Sequence, residues 1–194
     1  MNITFKFLAK SSLLLAIFSG AATPLSAEDI NKTLKMEGVT FQVKATDEGS
    51  LNKLTVTPKG LSKENRPVSR NIEGTVTGVE VADLNGNGSP EIYLFVSGVG
   101  SGSYSSVIAF ATNQNKSMTQ IHFPEVDPKN RIYRGYMGHD RFRIEGHYLI
   151  RRFPLYKKND PNCCPSGGYR EVYYRLVPGE AMWQLKAVKS VDEK

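Results

Sequence analysis

Cysteine, histidine, tryptophan and long apolar runs are all scarce in this 194-residue chain, and each scarcity removes a class of protein. Two cysteines are too few to build a disulfide-stapled mini-protein. Cys163 and Cys164 are neighbours between Pro161 and Pro165, and no second Cys or His pair stands at zinc-ligand spacing. In an oxidising compartment three fates stay open to them: a vicinal disulfide, a bond to another chain, or free thiols. Three histidines, His122, His139 and His147, leave few general bases. His139-Asp140 is the sole His–carboxylate neighbour pair, and neighbours on a strand point to opposite faces. Every Gly-x-Ser context lies between strands rather than between strand and helix, which excludes a nucleophile elbow. Without a nucleophile, base and orienter to assemble, the chain reads as a non-enzyme with no cofactor. A secreted hydrolase using His139 ranks last among the readings. Basic residues exceed acidic ones by 25 to 19, a net charge of +6, but they are scattered, which is not the footprint of a nucleic-acid binder.

What is present begins with a leader. Lys6 and Lys10 precede the short apolar run Leu13 to Phe18, and Leu25-Ser26-Ala27 stands just before Glu28 and Asp29. A basic start, a short apolar core and a small residue at the cut describe a secretory signal peptide over residues 1–27. The run falls short of the ~20 residues a spanning helix needs. No cysteine follows it directly, so no lipid anchor is expected. Cleavage removes two lysines and no acid, lowering the net charge by two. The remainder, 28–194, is expected to be a single domain in the periplasm.

That remainder has a period of two. Val39, Phe41 and Val43 alternate with Thr40, Gln42 and Lys44; Phe142 and Ile144 alternate with arginines; Val172, Tyr174 and Leu176, then Trp183, Leu185 and Ala187, repeat the pattern. Such alternation sends one set of side chains to a core and the other to water. Ile92–Val96 and Val107–Ala111 are apolar on both faces, as expected for central strands of a sheet covered on each side. Turn signals at Asp47-Glu48-Gly49, Asn85-Gly86-Asn87-Gly88, Asn113-Gln114-Asn115 and Pro178-Gly179 punctuate the pattern. The fold class is therefore all-β, an antiparallel β-sandwich of about eight strands with little helix. Helical turns are expected at most over 29–36 and after Asp127-Pro128, and Ser62 to Asn71 reads as one long surface connection. His122 and His147 read as half-exposed strand residues.

Two loops stand out. Asp83, Asn85 and Asn87 place oxygen-bearing side chains at alternate positions, glycines follow, and Glu91 closes the segment, like the first half of a calcium loop. The twelfth position falls on Leu94, where a glutamate is wanted, so the competing and preferred reading is a β-turn closed by Asx side chains. Asp83, Asn85, Asn87 and Glu91 are thus only weak metal candidates. The second loop, Ser97 to Tyr104, places Gly98, Gly100 and Gly102 between two buried strands. Strand on both sides removes the phosphate-loop reading. Glycines cost backbone entropy to order, and what they permit is a thin loop whose backbone approaches a partner closely. Ser101, Gly102, Ser103 and Tyr104 would supply hydroxyl donors and an amphipathic ring of the type found at binding hot spots. The bland alternative is a hairpin loop with a structural tyrosine. Ser166-Gly167-Gly168-Tyr169-Arg170 repeats the Ser-Gly-x-Tyr order, making Tyr169 and Arg170 candidates for a second contact.

At these residues the sequence resembles the periplasmic inhibitors of invertebrate-type (i-type) lysozyme. The resemblance runs through Asp83-Leu84-Asn85 to Pro90-Glu91, Gly100-Ser101-Gly102-Ser103-Tyr104, and Lys116-Ser117-Met118 to Phe123-Pro124. It continues through Gly135 to Asp140, Arg152-Phe153-Pro154-Leu155-Tyr156, and Gly167-Gly168. It implies a β-sandwich, often homodimeric, that protects bacterial peptidoglycan from host lysozyme, with Ser101 and Tyr104 inserted into the lysozyme cleft. The expected partner is then an i-type lysozyme, with neither nucleic acid nor membrane involved. The alternative function is a secreted calcium-dependent carbohydrate- or protein-binding module built on Asp83–Glu91.

Overall fold

A computed structural model describes residues 29–193, so the leader read over 1–27 lies outside the described residues. Twelve strands form three four-stranded sheets, each an antiparallel meander of consecutive strands. The first holds β1 (Ile30–Met36), β2 (Val39–Ala45), β3 (Leu51–Lys59) and β4 (Val68–Glu73). The second holds β5 (Thr75–Ala82), β6 (Glu91–Ser97), β7 (Ser105–Thr112) and β8 (Met118–Ile121). The third holds β9 (Arg141–Glu145), β10 (Tyr148–Pro154), β11 (Tyr169–Pro178) and β12 (Trp183–Glu193).

The second sheet lies in the middle, and its alternation divides two cores. Ile92, Leu94, Val96, Ile108 and Phe110 face the first sheet and pack with Val39, Phe41, Val43 and Val56. Tyr93, Phe95, Val107, Ala109 and Ala111 face the third sheet and pack with Leu149, Phe153, Val172 and Tyr174. The expectation that Ile92–Val96 and Val107–Ala111 are covered on both faces is met: β6 is buried from Glu91 to Val96. Burying one such side chain stabilises by roughly 1.5–3 kcal/mol. Gly74 joins the first two sheets; its φ of +103° bends β4 into β5, and a Cβ there would collide with the Ser97 carbonyl. The second and third sheets meet where the His122 amide donates to Trp183 O (2.8 Å) and the Leu185 amide to His122 O (2.9 Å).

The sandwich is richer in strands than the expected eight because its edge strands are short or polar. Residues 29–36, expected to turn, instead form β1, paired along its length with β2 through a Glu37-Gly38 turn with φ of +47° and +78°. Those positive values suit a two-residue hairpin. The Ser62–Asn71 connection stops early, at β4, which pairs from Val68 onward with β3. After Asp127-Pro128 the chain makes one 3-10 turn, Arg131–Tyr133, capped by Asn130. Neither His122 nor His147 is a half-exposed strand residue: His122, exposed, follows β8 in an isolated bridge to Gln184, and His147 sits exposed in the turn between β9 and β10. No helix among the described residues is long and apolar enough to cross a membrane.

Candidate functional site

The connection between β6 and β7 leaves the end of the two central, most deeply buried strands, so its mount is rigid. Its neck is closed by the Gly98 amide on Tyr104 O (2.9 Å), and its tip by the Ser103 amide on Gly100 O (3.1 Å). Ser103 adopts φ of +40°, and its hydroxyl leans back toward Gly100 O at 3.5 Å. Ser101 and Val99 are exposed, and Tyr104 keeps 55% of its surface in solvent. Gly102 leaves room for the Tyr104 ring: a Cβ there would strike the ring where it stands.

One flank of this finger rests on the segment before β9. The His139 amide donates to Gly102 O (2.8 Å), and the approach is so close that a Cβ on Gly138 would collide with that same carbonyl. The Tyr104 ring meets Tyr136 edge-on at 5.7 Å between centroids. Tyr136 is fixed from beneath. Its hydroxyl donates to Asp140 Oδ2 (2.7 Å) and accepts from Arg151 Nη2 (2.6 Å), while Arg151 Nε donates to Asp140 Oδ1 (2.6 Å). Asp140 Oδ2 also takes the Ser105 amide (3.0 Å), which pins the first residue of β7 directly after Tyr104. The ion pair is buried, with Arg151 side chain 3% and Asp140 side chain 0% exposed. The guanidinium lies among the rings of Tyr136 (4.8 Å), Phe142 (5.6 Å), Tyr133 (5.7 Å) and Phe123 (6.0 Å). Burial is the largest single influence and disfavours the Arg151 charge, but the bond to Asp140, the charge of Asp140 and the nearby Tyr136 and Tyr174 together outweigh it and hold the pKa above the ordinary arginine range. Burial likewise pushes the Tyr136 hydroxyl up, helped by the adjacent Asp140 charge, so Tyr136 keeps the proton it donates.

The second Gly-containing loop reaches the same end of the molecule. Asn162 Nδ2 approaches Ser101 O at 3.5 Å, and Tyr156 OH donates to Asn162 O at 2.7 Å. Cys163 and Cys164 form the vicinal disulfide, one of the three fates left open by the sequence, and Asp160 ties the loop through the Lys157 and Ser166 amides (both 2.8 Å). Those amides hold the Asp160 carboxyl below the usual carboxylate range. His139, Arg141, Arg152, Tyr156, Asn162 and Tyr169 line a cleft of about 390 Å³ beside the second loop. Tyr169 is 42% exposed, and the Arg152 guanidinium stacks 3.6 Å above its ring. Arg170 faces elsewhere: it forks onto Asp192 (2.6 and 2.8 Å) and donates to the carbonyls of Arg131, Ile132 and Arg134, clamping the 3-10 turn to β12.

The Asp83–Glu91 loop lies at the other end of β6. Asp83 accepts the amides of Asn87 (3.0 Å) and Gly88 (2.7 Å), Asn85 Oδ1 accepts that of Asn87 (3.1 Å), and Asn87 Oδ1 that of Ser89 (2.8 Å). Glu91 turns back beneath the loop, and its Oε2 accepts the Leu84 amide at 2.9 Å.

Of the named candidates, Ser101, Gly102, Ser103, Tyr104 and Tyr169 come together on one end, while Arg170 is committed to internal bonds. The scaffold of Tyr136, Asp140 and Arg151 was missed from the sequence. A signal existed: Arg151 shares inward parity with Leu149 and Phe153 on β10, and an arginine on a core-facing position demands a carboxylate partner.

A protein-family model described as periplasmic lysozyme inhibitor of I-type lysozyme matches residues 63–134. The matched stretch contains the whole middle sheet, the finger and the Asp83–Glu91 loop, and the resemblance drawn from the sequence is borne out there. No curated protein and no solved structure matches the chain.

Proposed function

From that similarity to periplasmic inhibitors of i-type lysozyme, we propose that the chain inhibits such an enzyme by inserting its Ser97–Tyr104 finger into the substrate cleft. The observation that carries this reading is that the matched stretch delivers a thin, glycine-built finger on a rigid mount, with Ser101 and Tyr104 facing solvent. Retaining glycosidases work with two carboxylates about 5 Å apart at the bottom of a groove. A finger this narrow enters where a bulkier loop would be stopped at the rim. Ser101 Oγ donates to a catalytic carboxylate, a charge-assisted bond contributing roughly 1.5–3 kcal/mol. Tyr104 covers apolar groove wall and brings a further hydroxyl. The Arg141 guanidinium in the neighbouring cleft favours an acidic rim on the enzyme, with Tyr169, covered by the Glu193-paired Arg152, as the second aromatic contact. Arg170 acts at one remove, by holding the 131–134 turn beneath Tyr136. Inhibition by occupancy requires no turnover and no cofactor.

Export through the 1–27 leader, residence in the periplasm, protection of peptidoglycan from host lysozyme and homodimerisation belong to the same reading. The test is an activity assay of i-type, c-type and g-type lysozymes with the purified mature protein. The i-type enzyme is expected to be inhibited most. Ser101→Ala with Tyr104→Ala should weaken that inhibition at least tenfold at an unchanged melting temperature. Full inhibition by the folded double variant would remove the finger from the mechanism.

A further inference from the structure

The inhibitor reading leaves the Asp83–Glu91 loop unexplained, and one atom in it stands out. Glu91 is 1% exposed, its carboxylate is drawn under the loop by the Leu84 amide, and Oε1 has no hydrogen-bond partner. Among the described residues neither Asp83 nor Glu91 forms a salt bridge with Lys or Arg. A buried, half-satisfied carboxylate near a second one is costly to keep ionised unless a cation balances it.

We propose that Asp83, Asn85, Asn87 and Glu91 bind one Ca²⁺ ion, and that this ion locks the β5–β6 connection. The twelfth loop position, Leu94, is unavailable because β6 starts at Glu91 and Leu94 is fully buried in the first core. Glu91 takes over at the ninth position, where it is the acid that folds back under Asp83. The donors are oxygens only, two carboxylates and two side-chain amides, which suits a hard cation rather than a soft one. The loop is already held in shape from outside. Thr112 Oγ1 donates to Pro90 O (2.8 Å), Asn115 Nδ2 to Gly88 O (3.2 Å), and His147 Nδ1 lies 3.2 Å from Leu84 O. With only two carboxylates, affinity belongs in the weak range of extracellular calcium modules, about 0.1–1 mM.

The site lies a full strand away from the finger, so it does not depend on the inhibitor reading, and its failure would leave that reading intact. The test is thermal unfolding of the mature protein in EDTA and in 10 mM CaCl₂, with KCl at matched ionic strength in the EDTA sample. A terbium titration excited through tyrosine accompanies it, since Tyr93 OH is 3.3 Å from Glu91 Oε2. The midpoint is expected to rise by roughly 5 °C in calcium, terbium emission to appear and excess calcium to quench it. Asp83→Asn, or the exposed Asn87→Ala should the first not fold, is expected to abolish most of the rise. Equal midpoints, emission that calcium does not displace, or a full rise in the folded variant would overturn the assignment.

Discussion

At the scale of single residues, Arg151 and Asp140 govern more than their own contact. Removing one partner of a buried ion pair strands the other charge in the core and costs about 3–5 kcal/mol, whereas replacing both with apolar or neutral groups is far milder. Arg151→Met is therefore expected to lower stability by that amount, because Asp140 then keeps only the Ser105 and Tyr136 donors. Adding Asp140→Asn should recover part of the loss, since the aromatic box around Arg151 accommodates a methionine. Urea unfolding of both single variants and the double variant gives the coupling. Inhibition of lysozyme should fall in Arg151→Met even well below its melting point, because Tyr104 leans on the Tyr136 that this pair holds. A second ionic residue responds to pH. Glu171 on β11 receives Arg143 at 2.6 and 3.0 Å and the Tyr173 hydroxyl at 2.8 Å, and chiefly the Arg143 bonds hold its carboxyl below the usual glutamate range. A depressed folded-state pKa contributes stability above the unfolded value and loses it as pH falls through the folded one. Glu171→Gln is thus expected to cost about 1.5–3 kcal/mol at pH 6, with the gap to the parent narrowing below pH 4.5. Parallel melts from pH 6 to pH 3 check it, and a constant gap would show that Glu171 is not the titrating group.

At the scale of elements, legibility followed the number of buried faces. β6 and β7 were plain because they are apolar on both faces, and β2 and β11 because Val39, Phe41, Val43 and Val172, Tyr174, Leu176 alternate cleanly. β1 was misread because Asn31, Lys32, Thr33 and Lys35 leave only Ile30 and Leu34 to touch the core, and an edge strand tolerates that polarity. β4 was lost for the same reason: Ser69, Arg70 and Asn71 are exposed, and only its pairing with β3 makes it a strand. The finger was legible from its glycines, which crowding against Tyr104 favours at Gly98 and Gly102 and a φ of +101° favours at Gly100. Its foundation was not, since Tyr136, Asp140 and Arg151 meet Tyr104 and Ser105 only through tertiary folding across more than 30 residues.

At the scale of the whole molecule, the middle sheet decides how the layers share their stability. Each residue of β6 and β7 lies in a strand whose two faces feed different cores, so neither outer sheet can leave without exposing the strands that support the other. Gly74 runs the backbone from the first sheet into the second almost without a break, and the His122–Trp183 and Leu185–His122 bonds stitch the second to the third. Residues 28–194 are on this ground proposed to unfold as one unit, and the chain carries its own reporter. Trp183, the single tryptophan, stands at the start of β12 in the third sheet, packed against the second core. Phe41, 0% exposed, belongs to the first core on the far side of the middle sheet. Phe41→Ala removes a fully buried ring and is expected to cost about 3–5 kcal/mol. If the three layers are one cooperative unit, urea curves followed by Trp183 fluorescence and by far-UV circular dichroism coincide, and Phe41→Ala moves both midpoints equally. A Trp183 transition that ignores the substitution, while the dichroism curve splits in two, would mean that the first sheet is a separate folding unit. The finger would then owe its rigidity to the second and third sheets alone, and Phe41→Ala would leave inhibition untouched at urea concentrations that melt the first sheet.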